Sequence, residues 1–192
     1  MAVREIIRIG HKALKAKNRK VVKFASPKVR QVIKDLIDTM LANDLIGIAA
    51  PQIAENYQIF ITQPRETETR PKDRADDLRI YINPKLVELS KQEVEIWEGC
   101  GSVPDIFGPV KAPRVVTVEA YNQEGKRFRF SADGILGRVI FHEQKHLEGI
   151  EFIQRMTEYQ RLLAKEHYLK KIRNSPRWIK VQKIFIKKFV SL

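Results

Sequence analysis

Two histidines four positions apart, in His142-Glu143-Gln144-Lys145-His146, constrain this chain more than any other feature. On an α-helix each residue advances about 100°, so the two imidazoles face one side, a turn apart, and can hold one metal ion. The segment must then be helical, and the fold must bring a further donor to that face. The candidate is Cys100, the chain's only cysteine, within Glu98-Gly99-Cys100-Gly101-Ser102. Taken alone, a single cysteine is more often a small buried hydrophobe than a ligand. Glu143 falls about 60° outside His146 on the helical wheel, so its carboxylate can reach a metal-bound water without ligating the ion. A divalent metal makes bound water ionise near neutral pH, and a carboxylate beside it takes the proton as the oxygen attacks a carbonyl. The chemistry this pattern points to is hydrolysis of an amide.

Length and composition fit such an enzyme. A chain of 192 residues with 43% hydrophobic content suits one domain with a sizeable core. No run approaches the 18 apolar residues of a membrane helix, and Met1-Ala2-Val3-Arg4-Glu5 lacks a signal-peptide core, so a cytoplasmic location is expected. One cysteine forbids an internal disulfide, and a thiolate ligand suits a reducing compartment. His11 and His167 sit in charged stretches and read as solvated surface groups.

Gly47-Ile48-Ala49-Ala50-Pro51-Gln52, Glu98-Gly99-Cys100-Gly101-Ser102 and the His142–His146 run follow one another in the order of the three motifs of the peptide deformylase family, which this chain resembles from Ile9-Gly10 to Gly149-Ile150-Glu151-Phe152. The resemblance implies removal of the N-formyl group from the amino-terminal methionine of nascent polypeptides, with release of formate. It implies one divalent ion, natively ferrous iron and replaceable by zinc, nickel or cobalt, held by Cys100, His142 and His146. Glu143 would be the acid/base, and the Gln52 side chain with the Gly101 backbone amide would face the oxyanion. Leu45, Ile46, Gly47, Glu98 and Gly99 would line the substrate groove, and Arg114 would brace Glu98.

Four positions depart from the family's pattern. Leu45 stands where glycine is usual, Gly101 where a large residue is usual, Phe107 is the closest match to an arginine that meets the substrate backbone, and Lys145 replaces an aspartate. Leu45 is expected to narrow the groove, and Gly101 to open the wall of the first side-chain pocket. Lys145 borders the metal face opposite Glu143. It either pairs with a carboxylate such as Asp44, Glu98 or Asp105, or runs its stem out to solvent. Alternatives to an active deformylase are therefore a metal-dependent amidase or peptidase of altered specificity, and a catalytically weakened relative that docks on ribosomes.

The expected fold is α+β, with antiparallel sheets around a central metal-bearing helix and a carboxy-terminal helical extension. The domain reading is a catalytic unit over 1–156 and a basic extension over 157–192. Ser26-Pro27 and the spacing of Val29, Val32, Ile33, Leu36, Ile37 and Met40 predict a helix over 27–43. Strands are expected at 57–62, 79–83, 86–97, 114–121 and 127–131, with a long charged loop over 63–78 and the metal helix beginning near Ala132 or Asp133. Thr157 with Gln160 reads as a capping box starting a helix that ends near Asn174. Ser175-Pro176 then restarts an apolar and basic segment. Residues 158–192 hold ten Lys or Arg against two Glu, giving +8 of the chain's +13. Such a tail suits contact with ribosomal RNA, a solvated helix face, or a membrane-surface or dimer contact. No DNA-binding motif is present.

Overall fold

The computed structural model describes residues 2–68, 70–173, 175–181 and 183–191. The first helix, α1 (Pro27–Ala42), starts where expected: the Ser26 hydroxyl accepts from the Val29 amide at 3.3 Å and Pro27 occupies the first turn. Its buried face carries Val29, Val32, Ile33, Leu36 and Met40. Strand β1 (Gly47–Ala49) leads into a 3-10 turn over Ala50–Ile53, and β2 (Ile59–Thr62) follows. Every residue of β2 is buried because both faces are covered. Ile59 and Ile61 join the α1 cluster, whereas Phe60 points to the opposite core.

Strand β3 (Arg79–Leu89) is longer than expected and bends at Asn83-Pro84, where the register with its neighbour slips and Asn83 takes φ 51°. The expected strand over 86–97 is in fact two. Ser90 turns the chain, its hydroxyl donating to the Gln92 carbonyl and accepting from the Val115 amide, and β4 (Glu93–Cys100) then pairs with β5 (Val103–Pro113). Strand β6 (Val116–Tyr121) and β7 (Arg127–Asp133) complete the hairpins before α2 (Gly134–Leu147), the helix that carries His142 and His146. Asp133 caps α2, accepting from the Gly134 amide at 2.6 Å.

Beyond α2 the structure departs from the helix expected at Thr157. Arg161 reaches back to Glu95 of β4 at 2.8 and 2.9 Å, holding Tyr159–Arg161 as a single 3-10 turn. The chain then forms β8 (Leu163–Ala164) against Ile106 and Phe107 of β5. Tertiary pairing overrides local helix preference here. The helical extension consists of α3 (Lys165–Lys171) and α4 (Pro176–Val181); the expected end near Asn174 lies outside the described residues. The segment that Ser175-Pro176 restarts is helical only through α4. Its β-branched and aromatic run forms β9 (Phe185–Ser191), which pairs antiparallel with the open edge of β7.

All strand pairs within the two sheets are antiparallel. The six-stranded sheet has order β1-β2-β3-β6-β7-β9, and the three-stranded one β4-β5-β8. Helix α2 is buried from Gly134 through Glu143, packing Leu136 and Ile140 on Val118 and Phe130 of the larger sheet. From its other side Arg138 and His142 reach β4. The expected α+β arrangement around a central helix is present. None of the described helices is long and apolar enough to cross a membrane.

Candidate metal centre

Helix α2 places His142 and His146 as the spacing requires, with their Nε2 atoms 3.2 Å apart. The β4–β5 hairpin turns at Gly101-Ser102, with Cys100 opposite Val103, and brings Cys100 Sγ to 3.2 Å from His146 Nε2. All three donor atoms lie within 4.8 Å of one another. Two nitrogens each about 2.0–2.1 Å from a tetrahedral ion are about 3.3 Å apart, so the imidazole separation fits a shared ion.

The buried carboxylate of Glu98 organises this cluster. One oxygen accepts from Arg138 at 2.8 Å; the other accepts from His142 Nδ1 at 2.8 Å and from Arg155. Burial alone would raise the Glu98 pKa, but the His142 hydrogen bond and the Arg155 and Arg138 charges hold it well below the carboxylate range. An ionised carboxylate only accepts, so His142 Nδ1 must carry the proton and Nε2 is left to face the cluster. Burial opposes charge on His142, yet its contacts with Cys100 and Glu98 raise its pKa to about 10. A cation held by these donors would take the place of the Nε2 proton. His146 is shifted the other way, by burial and then by the His142 charge.

Arg114 does not brace Glu98. It is exposed at the surface and pairs with Asp133 at 3.0 Å, because it follows the far end of β5. Arg138 and Arg155 take that place, and neither was identified from sequence. The signal for Arg138 was available: it lies one helical turn before His142 and so shares its face. Arg155 comes from a 3-10 turn over Phe152–Arg155 and carried no such signal.

Glu143 is 3% exposed, and its Oε2 has no hydrogen-bond partner. Desolvation pushes its pKa up to about 7, the His142 charge opposing the shift. Gly47 lies directly over it: a Cβ there would sit 2.7 Å from Glu143 Oε1 and 2.5 Å from Val139 Cγ1. Gln52 is fixed by its Oε1, which accepts from the Ala49 amide at 2.8 Å, leaving Nε2 at 3.4 Å from Cys100 Sγ and 3.3 Å from Ser102 Oγ.

A groove of about 740 Å³ opens over these groups, lined by Leu45, Ile46 and Gly47 on one side and by Glu98, Gly99, Cys100 and Gly101 on the other. Two of the unusual residues meet here. A Cβ on Gly101 would lie 3.2 Å from Ile6 Cδ1 and 3.3 Å from Leu45 Cδ1, so Leu45 and Ile6 fill the space that a larger residue at 101 would take. That wall is therefore not opened by Gly101. Leu45 itself needs no left-handed backbone; the positive φ falls on Asp44. Lys145 pairs with none of the three carboxylates considered. It bonds Glu148 at 2.5 Å and lies over the Phe141 ring.

The sequence matches the polypeptide deformylase family over residues 3–162. This chain belongs to that family. A peptide deformylase from Dictyoglomus thermophilum is 35% identical over 156 residues, spanning 81% of this chain and 94% of the relative. Peptide deformylase 2 of Clostridium perfringens is 37% identical over 165 residues, spanning 86% of this chain and all of the relative. Among solved structures, the class I type b peptide deformylase of Acinetobacter baumannii with Met-Ala-Ser bound superposes with TM-score 0.77 at 29% identity, covering 81% of this chain and 100% of that one. The peptide deformylase of Synechococcus elongatus in complex with actinonin gives 0.74 at 29% identity, covering 89% and 87%. Deformylases are metal-dependent hydrolases, and the cysteine and two histidines gathered here form a donor set that can hold an ion.

Proposed function

We propose that this chain deformylates nascent polypeptides at an ion held by Cys100, His142 and His146, with Glu143 as acid/base. The observation that carries the reading is a fully buried carboxylate with an unpartnered oxygen, next to three converging donor atoms, under a groove open to a peptide. The bound ion supplies Lewis acidity toward water and the formyl oxygen. Ferrous iron is the native ion we favour, with zinc, nickel or cobalt able to take the same donors.

Glu143, with its pKa raised to about 7, accepts the proton of the attacking water and returns it to the leaving amine nitrogen. Gln52 Nε2 and the Gly101 amide donate to the formyl oxygen as negative charge builds on it. Glu98 keeps His142 in the tautomer that turns Nε2 toward the ion. Leu45, Ile46, Gly47 and Gly99 flank the peptide backbone. The Met-Ala-Ser held by the Acinetobacter baumannii relative begins with methionine, as the substrate does. Lys145 is neutralised by Glu148, which removes the reason to expect a weakened ion site.

Residues 1–156 are, on this reading, the catalytic unit. The extension presents Lys165, Lys170, Lys171, Arg177, Lys180 and Lys183 to solvent, a surface suited to ribosomal RNA.

The test is formate release from formyl-Met-Ala-Ser by anaerobically purified, iron-loaded protein, with Glu143→Gln as control. The variant should retain its iron, measured by elemental analysis, and lose about 10²–10⁴ in kcat. Equal turnover by the variant would remove Glu143 from the mechanism.

A further inference from the structure

The far wall of the groove is built by residues outside the family match. Lys165, Tyr168, Leu169, Arg173 and Trp178 line it, all beyond residue 162. Tyr168 is the anchor: its ring stacks on Phe107 at 4.1 Å and 1°, and Trp178 meets its edge at 6.1 Å. The ring of Phe107 lies in turn on Gly99, where a Cβ would fall 2.4 Å from it. The extension is thereby coupled through one aromatic stack to the strand that carries Cys100.

Arg70 enters the same groove from the charged loop between β2 and β3. Its Nη1 donates to the Arg65 carbonyl at 2.9 Å, while its Nε is buried without a hydrogen-bond partner. Burial lowers its pKa, and the charges of Arg173 and then Arg65 lower it further. Asp44 opposes that shift but is itself paired with Arg65 at 2.7 Å. The Tyr168 phenol feels both Arg173 and Arg70. Two guanidinium groups and a phenol thus line one groove within electrostatic reach of one another. Like charges that line one groove are stabilised by an anion bound between them.

We infer that Arg70, Arg173 and the Tyr168 hydroxyl form an anion subsite, and that it selects formylated chains bearing Asp or Glu downstream of the methionine. The inference rests on the deformylase reading, since the groove is the one that leads to Glu143. It also gives the loop over 63–78 and the extension a shared role: each supplies one arginine to the substrate's path. A peptide carboxylate is the fitting ligand because the cluster lines the peptide's own groove, and a planar guanidinium matches a carboxylate with two parallel hydrogen bonds.

The experiment compares kcat/KM for formyl-Met-Ala-Glu-Glu-amide, formyl-Met-Ala-Ser-Ser-amide and formyl-Met-Ala-Lys-Lys-amide on the iron-loaded full chain. Amidation removes the terminal carboxylate as a competing anion. The acidic peptide should exceed the basic one by about tenfold at low ionic strength, carried by KM, and the ratio should shrink with added salt. In Arg70→Gln/Arg173→Gln the acidic-to-basic ratio should fall below about threefold. Equal rates for the three peptides in the unsubstituted protein, or a ratio indifferent to both salt and the double substitution, would overturn the subsite and leave the deformylase reading in place. No turnover of any of the three would overturn both.

Discussion

Replacing Arg138 by methionine isolates the buried charge that holds Glu98. Methionine keeps most of the arginine stem, so the packing of α2 against β4 is largely preserved while three hydrogen bonds go: to Glu98 at 2.8 Å, to the Val94 carbonyl at 2.6 Å and to the Val110 carbonyl at 3.2 Å. Both partners of the ion pair are at most 5% exposed. Breaking such a pair from one side costs about 3–5 kcal/mol, because the other charge stays buried. Glu98 retains Arg155 and His142, which places the cost at the lower end, about 3 kcal/mol. For a chain of this size that lowers Tm by about 6–12 °C. Calorimetry must be run with the metal in fixed excess, since ligand binding shifts Tm by mass action. Adding Glu98→Gln should recover part of the loss, because the double variant no longer strands a carboxylate. The cycle should show a coupling of at least about 1 kcal/mol. A Tm drop under about 2 °C, or additive effects of the two substitutions, would mean that Arg138 is a bystander and that Arg155 alone neutralises Glu98.

Gly47→Ala should leave the iron content unchanged and reduce kcat by about 10²-fold, because the new methyl lands on the Glu143 carboxylate and displaces the base by a fraction of an ångström to an ångström; unaltered formate release would show that β1 moves aside freely. Arg161→Gln tests the tie between the extension and β4. Arg161 holds the Glu95 pKa below its usual value, so the bond adds stability that is present above the unfolded carboxylate pKa and is lost as pH falls through the folded one. The two proteins should therefore differ in urea midpoint at pH 7 and converge toward pH 3, the gap staying below about 1 kcal/mol because the pair is partly exposed. A gap that widens on acidification would contradict the assignment. Cosedimentation with ribosomes should be strong at about 50 mM salt and fall steeply by about 200 mM, with Lys170→Glu/Lys171→Glu weakening it; salt-insensitive or absent binding would dismiss the ribosomal role of the tail.

The donor set was legible because helical spacing and one cysteine leave few choices, and α1 because its cap and its apolar stripe agree. Strand β5 was not legible. Pro104, Gly108, Pro109 and Pro113 argue against any strand, yet β8 flanks only Ile106 and Phe107, so prolines elsewhere along that open side forfeit no ladder bond. The brace of Glu98 was read onto Arg114 from the family resemblance, whereas Arg138, one helical turn before His142 and on the same face, is the arginine that α2 carries to the carboxylate. The tail misled for another reason. Leu162, Leu163, Leu169 and Ile172 carry a plausible helical rhythm, but the chain reaches two unsatisfied strand edges, at β5 and at β7, and pairing with them wins over local preference.

The unusual residues of this chain make sense in pairs rather than singly. Read alone, Leu45 narrows the groove and Gly101 widens it; in space the first, with Ile6, occupies the volume the second vacates. Lys145 brings a cation toward the ion site, and Glu148, three residues on, takes it away. Phe107 stands where an arginine would meet the peptide, and its ring becomes the platform on which Tyr168 places the extension beside Arg70 and Arg173. If the cationic contact to the substrate has moved from β5 to the extension, then Tyr168→Ala, which removes the stack and the subsite's hydroxyl but no charge, should erode the preference for acidic peptides as the double arginine variant does, and Tyr168→Phe, which keeps the ring, should erode it less. Deformylation of the neutral peptide with an unchanged acidic-to-basic ratio in Tyr168→Ala would show that Arg173 reaches the groove without the stack, and the coupling between Phe107 and the extension would have to be abandoned.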